Sequence, residues 1–193
     1  DCSNLSSVAL FDTSNVTSMY MSFASDKSLS SIPHFNTKNV TTMWGTFMAT
    51  PIKEIPLLDT SNTKDMSNLF LNCSNLTAIP QFNTRNVISM GATFAGCLNI
   101  SSIPLLDTSN VTGMSDMFLN TQIKTIPKLD TSKVSNMDSM FYNSPVTGIP
   151  LIDTSNCTSM VSMFSNTKIK SIPLLNTSSV TSMYEMFNSC TNL

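Results

Sequence analysis

The stretch Ile103–Phe118 reads IPLLDTSNVTGMSDMF, and it decides the fold because variants of it fill the whole chain. A phenylalanine returns every 23 or 24 residues, at Phe23, Phe47, Phe70, Phe94, Phe118, Phe141, Phe164 and Phe187. A methionine stands four residues before each of them. Eight copies in one phase identify a tandem repeat.

Each copy also repeats a set of apolar positions, which we expect to be buried. In one copy they are Leu76, Ile79, Phe82, Val87, Met90, Phe94 and Cys97. One copy cannot bury such a set alone, so we expect the copies to stack and cover each other. Residues 76–79 and 87–90 are predicted to form short parallel strands, the first ending at the proline after the isoleucine. The spacing of Met114, Met117 and Phe118 predicts a helical turn with one apolar side.

Upstream of the methionine, every copy carries an aspartate or asparagine followed by threonine, and Ile-Pro precedes this pair in seven copies. These residues are Asp12, Asn36, Asp59, Asn83, Asp107, Asp130, Asp153 and Asn176. Their side chains accept backbone N–H groups two or three residues later, which predicts a turn in each copy. The free exchange of Asp and Asn favours this role. A calcium-binding ladder of aspartates, by analogy with nonapeptide β-rolls, is the alternative.

Composition excludes several classes of partner. Charged residues make up 11% of the 193 residues, the net charge is −2, and no Lys/Arg cluster is present, so we expect no nucleic-acid partner. No apolar run approaches the roughly 20 residues that cross a bilayer, so we expect no direct membrane insertion. Both termini lie in the same phase of the repeat. We therefore expect residues 1–193 to be a single uncapped segment of a longer array, with anchoring signals in flanking repeats or domains.

Catalytic chemistry finds no support in the sequence. The single histidine, His34, stands in the variable position after Ile-Pro, with no residues that suggest a zinc or catalytic partner. No phosphate-binding glycine loop or nucleophile motif occurs. We expect no enzyme activity, no metal and no cofactor.

The five cysteines leave the redox compartment open. Cys2, Cys73, Cys97 and Cys190 share one position of the repeat, and Cys157 replaces the usual valine. Only Cys73 and Cys97 stand in adjacent copies, at a coil spacing that permits a disulfide. Free thiols packed as small apolar groups are the favoured reading, because Thr and Ser also occupy the position.

Two variable positions are candidates for partner binding. The residue after the first methionine is aromatic at Tyr20, Trp44 and Tyr184, and exposed aromatic side chains often anchor proteins or sugars. The residue after the proline is apolar in several copies, which predicts a broken apolar stripe: Leu57, Leu105, Leu151 and Leu174. Half-buried packing between neighbouring copies is the alternative for both positions.

The run Val111-Thr112-Gly113-Met114 followed by Phe118 resembles the Val-Thr-x-Ile-Gly-x-x-Ala-Phe run of BspA-like leucine-rich repeats in bacterial surface proteins. The resemblance extends over essentially the whole chain. It implies a leucine-rich-repeat-like solenoid of eight coils and a surface-displayed parent, often adhesive, with some relatives in phage. It brings no catalytic residues.

Together these observations predict a non-catalytic repeat scaffold on a cell surface or virion. Its expected partner is a host or cell-surface protein or a glycan. A passive structural spacer or surface decoration is the alternative. A third hypothesis treats the threonine position from Thr13 to Thr177 as an exposed ice-binding ladder.

Overall fold

The computed structural model describes residues 4–193, and within them it contains no helix and no strand longer than a single bridge. Neighbouring copies are joined by isolated parallel bridges at the position before the methionine. They are Ser18–Thr42, Thr42–Asp65, Asp65–Ser89, Ser89–Gly113, Gly113–Asn136, Asn136–Ser159 and Ser159–Ser182. The eight copies therefore form eight stacked coils, which we number 1 to 8 from the coil of Phe23 to the coil of Phe187.

The segment from methionine to phenylalanine in each coil is a series of tight turns. In coil 5 the Met117 N–H donates to the Met114 carbonyl at 3.3 Å. The Phe118 N–H instead leaves the coil and donates to the Met140 carbonyl of coil 6 at 2.9 Å. An α-helix needs that N–H for the carbonyl four residues earlier. The predicted helical turn is therefore wrong, because alternate amides of this segment hold the coils together.

The predicted strand over 87–90 is also wrong. The Val87 N–H closes a turn onto the Thr84 carbonyl at 2.9 Å, and the next turn begins at Met90. Between these turns, residues 88–90 form one isolated bridge to each neighbouring coil, and both bridges are centred on Ser89.

The stretch 76–79 fails for a different reason. Its only backbone bond to a neighbouring coil joins the Thr77 N–H to the Lys53 carbonyl at 3.3 Å, and Pro80 has no N–H to continue a ladder. The leucine-rich-repeat-like solenoid, with short strands and a helical turn in each coil, is thus contradicted. The described chain is a stack of turns.

Two residues in every coil have left-handed backbone, with φ between 50° and 71°. They lie two positions after the methionine and two positions after the phenylalanine. In coils 3 to 7 the second position holds residue types that tolerate this conformation, namely Asn72, Gly96, Asn120, Asn143 and Asn166. In coils 1, 2 and 8 it holds Ser25, Ala49 and Ser189. A left-handed residue in each turn also prevents the segment from continuing as a right-handed helix.

The core runs along the centre of the stack. All seven apolar positions predicted to be buried are buried in the copy from Leu76 to Cys97. The phenylalanines stack face to face from coil 1 to coil 8, with ring centroids 5.6–6.0 Å apart. Identical side chains in successive coils thus bury one another, which one coil could not achieve alone.

The threonine that follows the Asx residue is part of this packing. It is buried from Thr13 to Thr154, and the Thr108 hydroxyl donates to the Asp130 carbonyl of the next coil at 2.7 Å. An ice-binding ladder requires an exposed threonine face. Burial in coils 1 to 7 removes that face.

The left-handed positions predict that two Ala-to-Gly substitutions in coil 4 change the free energy of unfolding in opposite directions. Ala92 has φ of 52°, whereas buried Ala95 does not have a positive φ. Replacing Ala92 by Gly relieves backbone strain, so we expect Ala92→Gly to stabilise the chain by about 0.5–1 kcal/mol. Ala95→Gly should destabilise it by about 1 kcal/mol, because glycine gains more freedom on unfolding. Urea unfolding of both variants measures the difference, and a loss of stability in both would contradict the assigned backbone.

Candidate partner-binding surface

A column of leucines faces outward on one side of the stack. It occupies the position after the proline, and its exposed leucines have 57–94% of their surface accessible: Leu10, Leu57, Leu105, Leu151 and Leu174. Polar residues fill the same position in coils 2, 4 and 6, namely His34, Gln81 and Lys128. The predicted apolar stripe is therefore exposed in this structure rather than packed between coils.

Local backbone geometry explains the exposure. Burial alternates along the chain, with Leu58 and Thr60 buried and Leu57 and Asp59 exposed. This alternation of side-chain direction is what an extended segment produces. The residue between the proline and the core residue therefore points to solvent, and the Asx side chain emerges on the same side two residues later.

The Asx column caps a turn in all eight coils. Each side chain accepts a hydrogen bond from the backbone N–H two residues later, for example Ser61 N–H to Asp59 Oδ1 at 3.0 Å. Where the residue is aspartate, the serine two residues on also lowers the pKa. At Asp107 the Ser109 hydroxyl is the larger cause and its N–H the second, and both hold the pKa of the carboxyl below its usual value. These carboxylates are therefore ionised at neutral pH.

Leucines and aspartates together form one surface feature, which we call the Leu–Asp ridge. It comprises Leu10, Leu57, Leu105, Leu151, Leu174, Asp12, Asp59, Asp107, Asp130 and Asp153. Two shallow depressions lie along its section from coil 2 to coil 6. One, of about 360 Å³, is lined by His34, Leu57 and Gln81, and the other, of about 430 Å³, by Gln81, Leu105 and Lys128.

The three aromatic candidates do not form one site. The rings of Tyr20 and Trp44 are stacked, with centroids 4.8 Å apart and an interplanar angle of 11°. Each ring therefore covers one face of the other, and Trp44 is half-buried. Tyr184 lies in coil 8, six coils beyond Trp44, and is exposed. A sugar that stacks on an aromatic face would find fewer free faces here than the sequence indicated.

Titratable side chains are spread along the stack. His34 is exposed at the edge of the first depression. Among residues 4–193, no group of three or more His, Cys, Asp or Glu side chains is placed to hold a metal ion, and this includes the aspartate column considered as a calcium ladder.

The described cysteines are free thiols. Cys73 and Cys97 are fully buried and donate to the carbonyls of Phe47 and Phe70 in their preceding coils, at 2.9 and 3.1 Å. Burial raises the pKa of Cys73, and burial together with the neighbouring Cys73 raises that of Cys97. Cys2 lies outside the described residues.

These environments predict protection from alkylation. Since thiolate is the reactive species, Cys73 and Cys97 should resist iodoacetamide at neutral pH in the folded chain and react after unfolding. Cys190 is only half-buried and serves as the internal control that reacts earlier. Peptide mapping by mass spectrometry measures the rates. Equal labelling of Cys73 and Cys190, or a Cys73–Cys97 disulfide, would contradict the packing.

One ridge residue was missed by sequence reasoning. Leu10 occupies the same position as Leu57, but the first copy has Val8-Ala9 in place of Ile-Pro, and so the leucine was not assigned to the column. Leu10 stands two residues before Asp12, as Leu57 stands two residues before Asp59, and this spacing assigns it to the same column.

Comparison with known proteins identifies one family. The family model described as "Mycoplasma protein of unknown function, DUF285" matches residues 1–100, 46–148 and 146–193. The overlapping matches agree with a tandem repeat. No curated protein and no solved structure shows significant similarity to the chain. The described residues include no helix with the length and apolar character to cross a membrane.

Proposed function

The chain belongs to the family of Mycoplasma proteins of unknown function, DUF285, and we propose that it is a non-catalytic repeat scaffold, displayed on a cell surface, that binds a protein or glycan. Its outward-facing variable residues make the contact. The constant residues build the stack.

The observation that carries this proposal is the exposure of the ridge leucines. Burying a leucine side chain is worth roughly 1.5–3 kcal/mol, and each ridge leucine forgoes more than half of that contact with the core. The fold does not need leucine there, because His34, Gln81 and Lys128 occupy the same position in other coils. An apolar column in a polar field is typical of an interaction surface.

Surface display enters the proposal through the resemblance of the Val111–Met114 and Phe118 run to BspA-like repeats, whereas the family model that matches is described only as a Mycoplasma protein of unknown function. A stack that uses alternate backbone amides to join its coils can be lengthened by adding copies, which suits projection from a surface. We therefore include surface display in the proposal, with a host or neighbouring cell as the source of the partner.

A passive spacer, on a cell or a virion, is the second candidate. It is favoured by the uniform stacking of Phe rings in all eight coils. A spacer needs no exposed apolar column, and so the ridge favours the binding role.

The test compares two variants of equal polarity change. The first replaces Leu57 and Leu105 by Ser. The second replaces Ile88 and Leu98 by Ser, which are about half exposed but lie outside the ridge. Fluorescently labelled chains are applied to host cells, bacterial cells and glycan arrays, and circular dichroism verifies folding.

We expect the ridge variant to lose at least tenfold in affinity for whatever surface the wild-type chain binds, and the control variant to bind normally. Equal binding by both variants would show that the contact is not made by the ridge leucines. Failure of the wild-type chain to bind any surface would favour the spacer.

A further inference from the structure

We propose that the Leu–Asp ridge binds the same face of a second copy of this chain, with the two stacks antiparallel. The inference rests on the proposed binding function and names the partner: the adhesion is homophilic.

The first observation is that in coils 1 to 5 the ridge repeats every two coils, although the core repeats every coil. Coils 1, 3, 5 and 7 carry leucine followed two residues later by aspartate, at Leu10/Asp12, Leu57/Asp59, Leu105/Asp107 and Leu151/Asp153. Coils 2 and 4 carry a polar residue followed by asparagine, at His34/Asn36 and Gln81/Asn83. Coils 6 and 8 depart from this alternation, with Lys128/Asp130 and Leu174/Asn176. Because the stack itself has a one-coil period, the doubled period requires another cause.

Basic side chains follow the same doubled period. The position two residues after the Asx holds Lys38 in coil 2 and Arg85 in coil 4, whereas coils 1, 3, 5 and 7 hold serine there. Lys38 is close enough to Asp59, and Arg85 to Asp107, for their charges to contribute to lowering the pKa of these carboxyls. Lys128 supplies a positive charge in coil 6. In coils 1 to 5 the face therefore alternates acidic and basic rows.

A face with alternating charges is complementary to itself when one copy is reversed and placed so that its odd-numbered coils face the even-numbered coils of the other. With a two-fold axis between coils 3 and 4, coil 3 of each copy faces coil 4 of the other. This axis keeps equivalent positions of the coil opposite each other, so Asp59 faces Asn83 and lies diagonally beside Arg85 of the second copy, and the same pair recurs across the axis. Coil 2 faces coil 5, which brings Lys38 diagonally beside Asp107.

The leucines interdigitate in the same register. Leucines and polar rows alternate, so each leucine of coils 3 and 5 meets a polar row of the other copy. The two depressions lie around Leu57 and Leu105, and the row of Gln81 separates them. A leucine of the second copy that meets Gln81 therefore lies between Leu57 and Leu105 and can bury part of its exposed surface against them.

Spacing favours a second copy over an extended peptide. Hydrogen-bonded coils lie about 4.8 Å apart, which makes the two-coil period about 10 Å. A β-strand presents same-side residues about every 7 Å and would lose register after one leucine. A second copy has the same period along its whole length.

Sedimentation velocity of the full chain over a range of concentrations tests the proposal. We expect a reversible dimer for the wild-type chain. Lys38→Glu with Arg85→Glu should weaken the dimer at least tenfold, because glutamates then face Asp107 and Asp59. Lys53→Glu with Lys168→Glu, on exposed lysines outside the ridge, is the matched charge control and should dimerise normally.

A rescue variant separates charge pairing from a folding defect. Adding Asp59→Asn and Asp107→Asn to the Lys38→Glu, Arg85→Glu chain removes the like-charge contacts. Asparagine keeps the turn, as Asn36 and Asn83 do in this structure, so dimerisation should recover in part.

Three results would overturn the proposal. They are a wild-type chain that stays monomeric at all concentrations, a dimer unaffected by the ridge variants, and a rescue variant as weak as its parent. If the wild-type chain is monomeric but still binds cells through the ridge leucines, the homophilic proposal is wrong and the proposed binding function stands. If it binds neither itself nor any surface, both fail.

Discussion

Phe118→Ala should destabilise the chain by about 3–5 kcal/mol, the largest effect expected from a single substitution. Phe118 is fully buried, and its ring stacks on Phe94 at 6.0 Å and on Phe141 at 5.7 Å. Truncation removes both contacts and leaves a cavity in the middle of the stack, where coils on either side cannot collapse without breaking their inter-coil hydrogen bonds. Urea unfolding followed by circular dichroism measures the loss.

The control lies in the same coil. Leu105→Ala removes a large apolar side chain that is 61% exposed, so we expect a change within about 0.5 kcal/mol. Similar losses for Phe118→Ala and Leu105→Ala would mean that the phenylalanine column is not the core, and the account of the stack would fail.

Gly96→Ala should destabilise the chain by about 2 kcal/mol. Gly96 has φ of +71°, where a Cβ costs roughly 1–2 kcal/mol. A Cβ built on Gly96 would also approach the Cα of Asn72 to 3.2 Å and overlap the Asn72 side chain. The side chain can rotate away, but the backbone of coil 3 is held by its hydrogen bonds to coil 4. Thermal unfolding of the variant measures the combined cost.

Gly113→Ala is the matched control for Gly96→Ala. Its Cβ would meet nothing within 4 Å and its φ is not positive, so the substitution should be neutral or slightly stabilising. Equal destabilisation by the two substitutions would contradict the left-handed backbone assigned to Gly96.

The period, the stacking of copies and the buried positions could be predicted from the sequence, because apolar side chains that recur every 23 or 24 residues must cover each other. The hydrogen-bond pattern could not. The spacing of Met114, Met117 and Phe118 places apolar groups on one side of a helix, but it does so equally in successive tight turns. What decides between them is the acceptor of the Phe118 N–H, and apolar periodicity carries no information about that choice.

The candidate site was predictable in part for a similar reason. Leu57 and Leu105 could be assigned to one column from their phase, but phase alone does not say whether that column is exposed. Tyr20 and Trp44 share a column too, and the sequence could not show that their rings cover each other. The two-coil period of the ridge was present in the sequence, but it gains meaning only when Lys38 and Arg85 are placed beside the aspartates of the odd coils.

The central claim is that coils are joined by alternate amides of the Met-to-Phe segment. Solution NMR tests it through the scalar coupling that a hydrogen bond transmits from the amide nitrogen of Phe118 to the carbonyl carbon of its acceptor. We expect coupling to Met140, in the next coil, across the 2.9 Å hydrogen bond. Coupling to Met114, four residues earlier in the same coil, would show a helical turn and contradict the account.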